Sequence, residues 1–261
     1  MGLFCKSINL KKIIILLLIF CSVCEIHSQE FKAKITYQAT LNNEDFYVRL
    51  VKDTTLTKLA RDTQIDDISS TSPINFHLFI SGSEGLYQAE YDLPTKRSLG
   101  YKPNRTGRIA RHDNIYYTNL VTKEKFYQSF WTKEVLVDLG KVNWKLTQES
   151  KKIGNYTCYK AIADLDSQNI PQMKLVGPVV AWYTPEIPTS FGIQKFNGLP
   201  GLTLELITDY DKGKVYYTAT KIELNPEEEI KIKKPRGKKL SEQEYIALIE
   251  RLNNARRSQR Q

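Results

Sequence analysis

Alternation of apolar and polar side chains organises most of this chain. From Phe31 to Thr40, the residues Phe31, Ala33, Ile35, Tyr37 and Ala39 fall on one side of a period-two pattern, and Lys32, Lys34, Thr36, Gln38 and Thr40 on the other. That pattern predicts a half-buried strand. The same reading predicts strands over Ile74–Ser81 and Leu86–Tyr91, then over Ile115–Leu120, Glu124–Trp131 and Val135–Leu139. Trp144–Glu149 and Tyr156–Asp164 follow, divided by an Ile153–Gly154–Asn155 turn, and Val179–Tyr183 is a short apolar run. Leu202, Leu204 and Leu206 alternate with Thr203, Glu205 and Ile207; after a turn at Asp211–Gly213, Lys214–Leu224 returns as the second strand of a hairpin. This succession predicts a mainly β protein, a single curved antiparallel sheet running as a half-barrel-like meander.

Other stretches break the alternation. Between Asn42 and Ser72, Phe46–Val51 reads as a strand, and Leu56, Leu59 and Ala60 give Thr54–Ile68 a helical spacing. Leu93–Gly107, with two prolines, two glycines and several basic residues, is expected to be an exposed loop, and Asp166–Gly177 a polar one. Residues 225–240 are charged and broken by proline, hence a linker. At Ser241 the pattern changes: Ser241 with Glu244 is a capping box. Tyr245, Leu248, Ile249 and Leu252 then recur at helical spacing, with Arg256, Arg257 and Arg260 at the C-terminal end. That apolar stripe is expected on the chain's own sheet; the alternative is a partner or a membrane surface.

The most distinctive stretch is Ala181–Asp209, AWYTPEIPTSFGIQKFNGLPGLTLELITD. Pro185 and Pro188 push the residues before them to extended conformations. Gly198, Leu199, Pro200 and Gly201 set a fixed φ between two permissive ones, a tightly specified turn. WYTPEIP, Gly192 and FNGLPGLTLEL together are similar to the signature of the GLPGLI family, found in the envelope or secreted fraction of Bacteroidota. Thr203 stands where the name has isoleucine, and Ile193 where the family often has proline. Tyr156–Ala161 (YTCYKA) resembles that family's weaker second motif. The resemblance implies a fold signature and an exported protein, with no established activity.

Composition adds a compartment. Lys11 and Lys12 precede Ile13–Phe20, eight unbroken apolar residues. This is a basic n-region and an h-region, too short to span a bilayer. Residues 1–28 therefore read as a signal segment cleaved after Ser28, with lipidation at Cys24 as the alternative. The β-rich domain then covers 29–224, and 241–261 is the terminal helix. No transmembrane segment is expected in the mature chain, and the location is periplasmic, outer-membrane-associated or secreted. Cleavage removes Cys5, Cys21 and Cys24 and leaves Cys158 alone, expected as a small buried hydrophobe. The net charge of +9 falls to +7, and Asn225–Gln261 holds ten Lys or Arg against six Glu. No nucleic-acid motif accompanies it, and the tail reads as solvated.

Chemistry is sparse. After cleavage only His77 and His112 remain, and no HExxH or CxxC spacing exists, so neither a metal nor another cofactor is expected. Neither a GxSxG elbow nor a phosphate loop occurs. Arg111, His112 and Asp113 adjoin; on a strand, neighbours point to opposite faces, so they do not read as a dyad, and a polar turn is the expected setting. Glu186, between two prolines, is expected to accept backbone hydrogen bonds. The sequence points to a non-enzymatic binding module for a lipid, a peptide or an envelope protein. Trp182, Tyr183, Phe191 and Phe196 are the candidate lining of an apolar concave face, with ordinary core packing as the alternative. A structural or assembly role shares the same architecture; an enzyme of unknown class has no support in the residues.

Overall fold

In the computed structural model, residues 30–90, 104–129, 132, 134–163 and 175–258 are described. The expected signal segment, the first part of the 93–107 loop, the start of the 166–177 loop, Trp131 and Arg260 lie outside them. Residues 31–261 form one compact unit. Twelve strands make one open, curved, mixed sheet. In chain order they are β1 (Lys32–Asn42), β2 (Ile74–Ser81), β3 (Glu84–Ala89), β4 (Asn114–Asn119), β5 (Lys125–Ser129) and β6 (Val135–Asp138). The others are β7 (Lys145–Ile153), β8 (Tyr156–Ala163), β9 (Val179–Thr184), β10 (Leu202–Tyr210), β11 (Gly213–Leu224) and β12 (Lys238–Leu240).

Their spatial order is β12-β6-β5-β4-β3-β2-β1-β11-β10-β9-β8-β7. The sheet is two meanders joined along one seam, where β1 pairs with β11 antiparallel, from Ala33 opposite Leu224 to Asn42 opposite Lys214. Every pairing is antiparallel except the last: Lys238–Leu240 lies parallel to Val135–Val137. The sheet is thus the expected curved antiparallel layer, made mixed by this one edge pairing. The stretch expected as a linker supplies that edge strand. Parallel pairing follows from the route, because residues 225–237 carry the chain across the sheet between the two strands.

The alternation read from the sequence is the burial pattern of the centre. Ala33, Ile35, Tyr37 and Ala39 are fully buried on β1, as are Leu202, Leu204 and Leu206 on β10. Rings run across this inner face in contact: Tyr217 to Phe76 at 6.0 Å, Phe76 to Tyr87 at 5.2 Å, Tyr87 to Tyr116 at 6.0 Å and Tyr116 to Tyr127 at 5.6 Å. Burial lifts the hydroxyl pKa of Tyr37, Tyr87 and Tyr217 well above the ordinary range and that of Tyr116 to about 12.

Two connections differ from expectation. Phe46–Val51 is not a strand but part of helix α1 (Glu44–Lys52). The Asn42 side chain accepts the Glu44 N–H at 3.0 Å, and Glu44 and Asp45 begin the helix while Arg49 and Lys52 end it, the charge order the helix dipole favours. Helix α2 (Lys58–Ser69) forms where a helix was expected, capped by Thr57. Arg105–Ile109 is a short helix, α3, and Arg105, Thr106, Gly107 and Ile109 are buried rather than exposed. Arg105 is accommodated because Asp67 pairs with it and its guanidinium lies 4.9 Å from the centre of the Phe46 ring. Helix α4 (Glu242–Ser258) closes the chain; Ser241 donates its N–H to Glu244 at 2.7 Å and accepts the Glu244 N–H at 3.2 Å, the expected capping box.

The seam should dominate stability. Ile35→Ala is expected to cost roughly 2–5 kcal/mol. Leu59→Ala, on the exposed side of α2 with 79% of its surface in solvent, should stay within about 0.5 kcal/mol. Urea unfolding curves of the two variants check the contrast.

Candidate functional site

The signature segment folds inward. Between β9 and β10 the chain from Pro185 to Gly201 leaves the sheet and lies on its inner face. Ile187, Phe191, Ile193, Phe196 and Leu199 are all buried within the same core as the strands. The loop makes its own turns: Leu202 donates to the Ile187 carbonyl at 3.0 Å and Gly198 to the Ser190 carbonyl at 2.9 Å. Asn197 clamps it, accepting the Gly192 N–H at 2.8 Å and donating to Thr118 Oγ1 at 3.2 Å, while its carbonyl accepts Trp144 Nε1–H at 3.1 Å. Glu186 accepts the Thr157 N–H at 2.7 Å, so the loop's mouth is pinned to β8.

This geometry explains the glycines. A Cβ on Gly192 would lie 2.1 Å from the Phe196 carbonyl oxygen, and one on Gly201 2.2 Å from that of Thr184. Gly198 has open space but sits at φ +98°. Gly85 on β3 is small because the Phe191 ring occupies its place, 2.5 Å from where a Cβ would be.

The four rings expected to line one apolar seat are therefore not brought together. Phe191 and Phe196 are interior to the plug, and Tyr183 is buried where the loop departs. Trp182 faces the opposite side of the sheet, half-buried, with Lys151 Nζ 4.4 Å from its ring centre and Lys151 in turn 2.6 Å from Glu205. The inner face is occupied by the chain's own side chains. Cys158 is free and buried, and burial pushes its thiol up to about 11, which favours the protonated thiol at neutral pH.

The sequence did not reveal a polar knot against the plug. Gln194 donates to the Ala110 carbonyl at 2.8 Å and to Tyr217 Oη at 3.0 Å. Gln194 and Arg111 both hold positive φ, 55° and 56°, a conformation that costs energy outside glycine. His112 and Asp113 lie in a turn, as expected, 3.1 Å apart through Nε2 and Oδ1, so the opposite-face argument for a strand does not separate them. Tyr87 Oη and Arg111 Nη2 are buried there without a partner among the described residues, a setting for internal water. Among the described residues, no group of three or more His, Cys, Asp or Glu could hold a metal ion.

The outer face offers an accessible concavity. Residues 225–237 form a strap from β11 to β12, crossing β1 to β6. Seven strand spacings amount to about 34 Å, and thirteen residues reach at most about 47 Å, so the strap runs nearly extended. Ile232 covers a second apolar cluster of Tyr117, Phe126 and Leu136, with Leu86. Glu124 anchors Lys234 at 2.6 Å and Lys239 at 2.8 Å. Gln128 donates to the Arg236 carbonyl at 2.9 Å. Closer to β11 the strap stands away from the sheet and leaves a groove of about 840 Å³. Lys34, Phe79, Leu86 and Gln88 line it on the sheet side, and Pro226 to Lys231, including Glu227, Glu228 and Glu229, on the strap side. The signal for it in the sequence was the acidic triplet; what hid it was that the sheet positions come from β1, β2, β3 and β11, of which β1 and β11 lie far apart in the chain.

Gly192→Ala and Gly201→Ala should unfold the plug, because backbone atoms cannot yield. Gly198→Ala should cost only about 1–3 kcal/mol of backbone strain. Thermal melts and near-ultraviolet circular dichroism of the three variants check that order. Hydrogen bonds from Lys234 and then Lys239 hold the Glu124 carboxyl at about 2, below its ordinary 4.5. A depressed carboxylate contributes stability above its unfolded pKa and loses it as pH falls through the folded one. The strap anchor should weaken between about pH 4.5 and 2, and Glu124→Gln should lack that transition, read from the amide resonances of residues 231–240.

A family model described as "Protein of unknown function (Porph_ging)" matches residues 144–176 and 165–205, from β7 through the plug. No curated protein matches the chain. Among solved structures it is similar to PNGF-II in a C2 crystal form, with 15% identity and a TM-score of 0.48 over 84% of this chain and 32% of that one. In a P21 form the values are 15%, 0.45, 82% and 32%. This chain therefore spans about a third of PNGF-II's length. It is also similar to a putative outer membrane lipoprotein-sorting protein domain from Vibrio parahaemolyticus, with 8% identity and a TM-score of 0.23 over 76% of this chain and 87% of that one. At these identities and scores none of them transfers a function.

Proposed function

We propose that this is a non-enzymatic binding module of the cell envelope, exported and of the GLPGLI type, whose ligand lies in the outer-face groove rather than on the inner face. The ligand class is an extended peptide segment bearing apolar and basic side chains. The observation that carries the reading is the groove itself. Its floor includes Phe79 and Leu86, and its wall is a run of three glutamates, Glu227 to Glu229, all exposed. An apolar floor fixes the short side chains of an extended strand, and a mainly acidic lining, Glu223 and the triplet against Lys34 and Lys231, favours the opposite charge and speeds encounter. The plug supports the same reading from the other side, since Phe191 and Phe196 are committed to the core.

A labelled peptide alternating leucine and lysine should bind, and one alternating leucine and glutamate should not, by fluorescence anisotropy. Replacing Glu227, Glu228 and Glu229 together by lysine should weaken the first peptide at least about tenfold, and Phe79→Ala should weaken it with unchanged melting temperature. Equal binding of both peptides, or undiminished binding by the charge-reversed variant, would remove the groove as the site.

A further inference from the structure

The opposite end of the strap carries the reverse charge. Residues 231–258 hold nine Lys or Arg against three Glu, and no acid falls between Lys231 and Ser241. Lys233, Arg236 and Lys238 are exposed. They lie on or beside β12, the outermost strand at that end of the sheet. Helix α4 leaves from the same edge. Tyr245 turns into the core and meets Tyr127 at 6.0 Å, but no residue of α4 is fully buried. Farther along the same stripe, Leu248 and Ile249 are half-exposed and Leu252 has 42% of its surface in solvent. Arg251, Arg256 and Arg257 flank or continue that stripe. Glu244 is held in the capping box.

We propose that this edge docks on an anionic bilayer, with Leu248, Ile249 and Leu252 entering the headgroup boundary and the basic residues of the strap, β12 and α4 meeting lipid phosphates. Charge complementarity selects this occupant. An uncovered apolar stripe alone would suit any hydrophobic partner, whereas a stripe bordered by cations of a single extended edge matches a planar anionic surface. The charge at stake is local. Glu124 neutralises part of Lys234 and Lys239, Glu229 lies 2.9 Å from Lys231, Glu134 and Asp138 stand beside β12 at either end of β6, and Glu250 lies on the helix, so the net positive field comes from the excess of Lys233, Arg236, Lys238 and the three arginines over these acids. The peptide groove lies at the other end of the strap, so either proposal can fail without the other.

Flotation with vesicles of phosphatidylcholine, with and without phosphatidylglycerol, tests it. The protein should float with the anionic vesicles and not with the neutral ones, and the association should fall with salt. Leu252→Asp, at an exposed position, and the triple change Lys233→Glu, Arg236→Glu, Lys238→Glu should each reduce flotation at least about tenfold while circular dichroism and melting temperature stay unchanged. Four results would overturn the proposal: flotation with neither vesicle, equal flotation with both, full flotation of the Leu252→Asp variant, or a lipid-free dimer that Leu252→Asp dissociates. Capture by soluble heparin without flotation would overturn it as well, because it would assign the basic edge to a free polyanion.

Discussion

The pairing of β1 with β11 is the constraint on which the rest of this protein depends. It joins strands nearly two hundred residues apart, with Ala33 opposite Leu224 and Asn42 opposite Lys214. Each meander, β1 to β6 and β7 to β11, pairs strands that follow one another in the chain. Alone, either would leave one of the two central strands as a raw edge. Closing so long a loop is entropically costly and must precede the contacts that reward it. The rewards lie along the seam: Ile35, Tyr37, Val215 and Tyr217 are fully buried, and Tyr37 Oη reaches the Thr203 carbonyl at 2.7 Å, two strands away on β10. A twelve-stranded open sheet also has more inner surface than its own side chains fill, and such sheets curl or acquire covers.

Both covers come from the chain itself. On the inner face the proline- and glycine-marked loop supplies five apolar side chains, and two polar residues within it, Gln194 and Asn197, bond to structures on both halves of the sheet. The distinctive residues of that loop are therefore explained by packing: glycine where a backbone approaches within van der Waals contact, phenylalanine where a strand has a glycine opposite. On the outer face the strap covers Tyr117, Phe126 and Leu136 and then becomes a strand. This explains why β4, β5 and β6 have buried residues in succession rather than in alternation, as strands covered on both faces do.

The strap also separates charge. Its acidic run stands over β1 to β3 and its basic run over β4 to β6 and beyond, and one carboxylate, Glu124, fixes the basic half. An extended segment tethered by three main-chain pairings, one isoleucine and one ion-pair cluster has its stability concentrated in few contacts. Such segments open at lower free energy than the sheet beneath them.

The sequence by itself determined the strands of the two meanders, the buried face of β1 and β10, the capping box at Ser241 and the special turn at Gly198–Gly201. These are local: a period of two, a proline, a hydroxyl three residues before a carboxylate. The tertiary structure alone decided which strands became neighbours, because alternation specifies a face and not a partner. It decided that Phe46–Val51 is helical, since Asn42 and the charges at either end outweigh the apolar run. It decided that Arg105 is buried, since Phe46 and Asp67 come to it from two other helices. It also decided that Trp182 faces away from Phe191 and Phe196: one strand sends adjacent residues to opposite sides, and the loop that follows turns back onto only one of them.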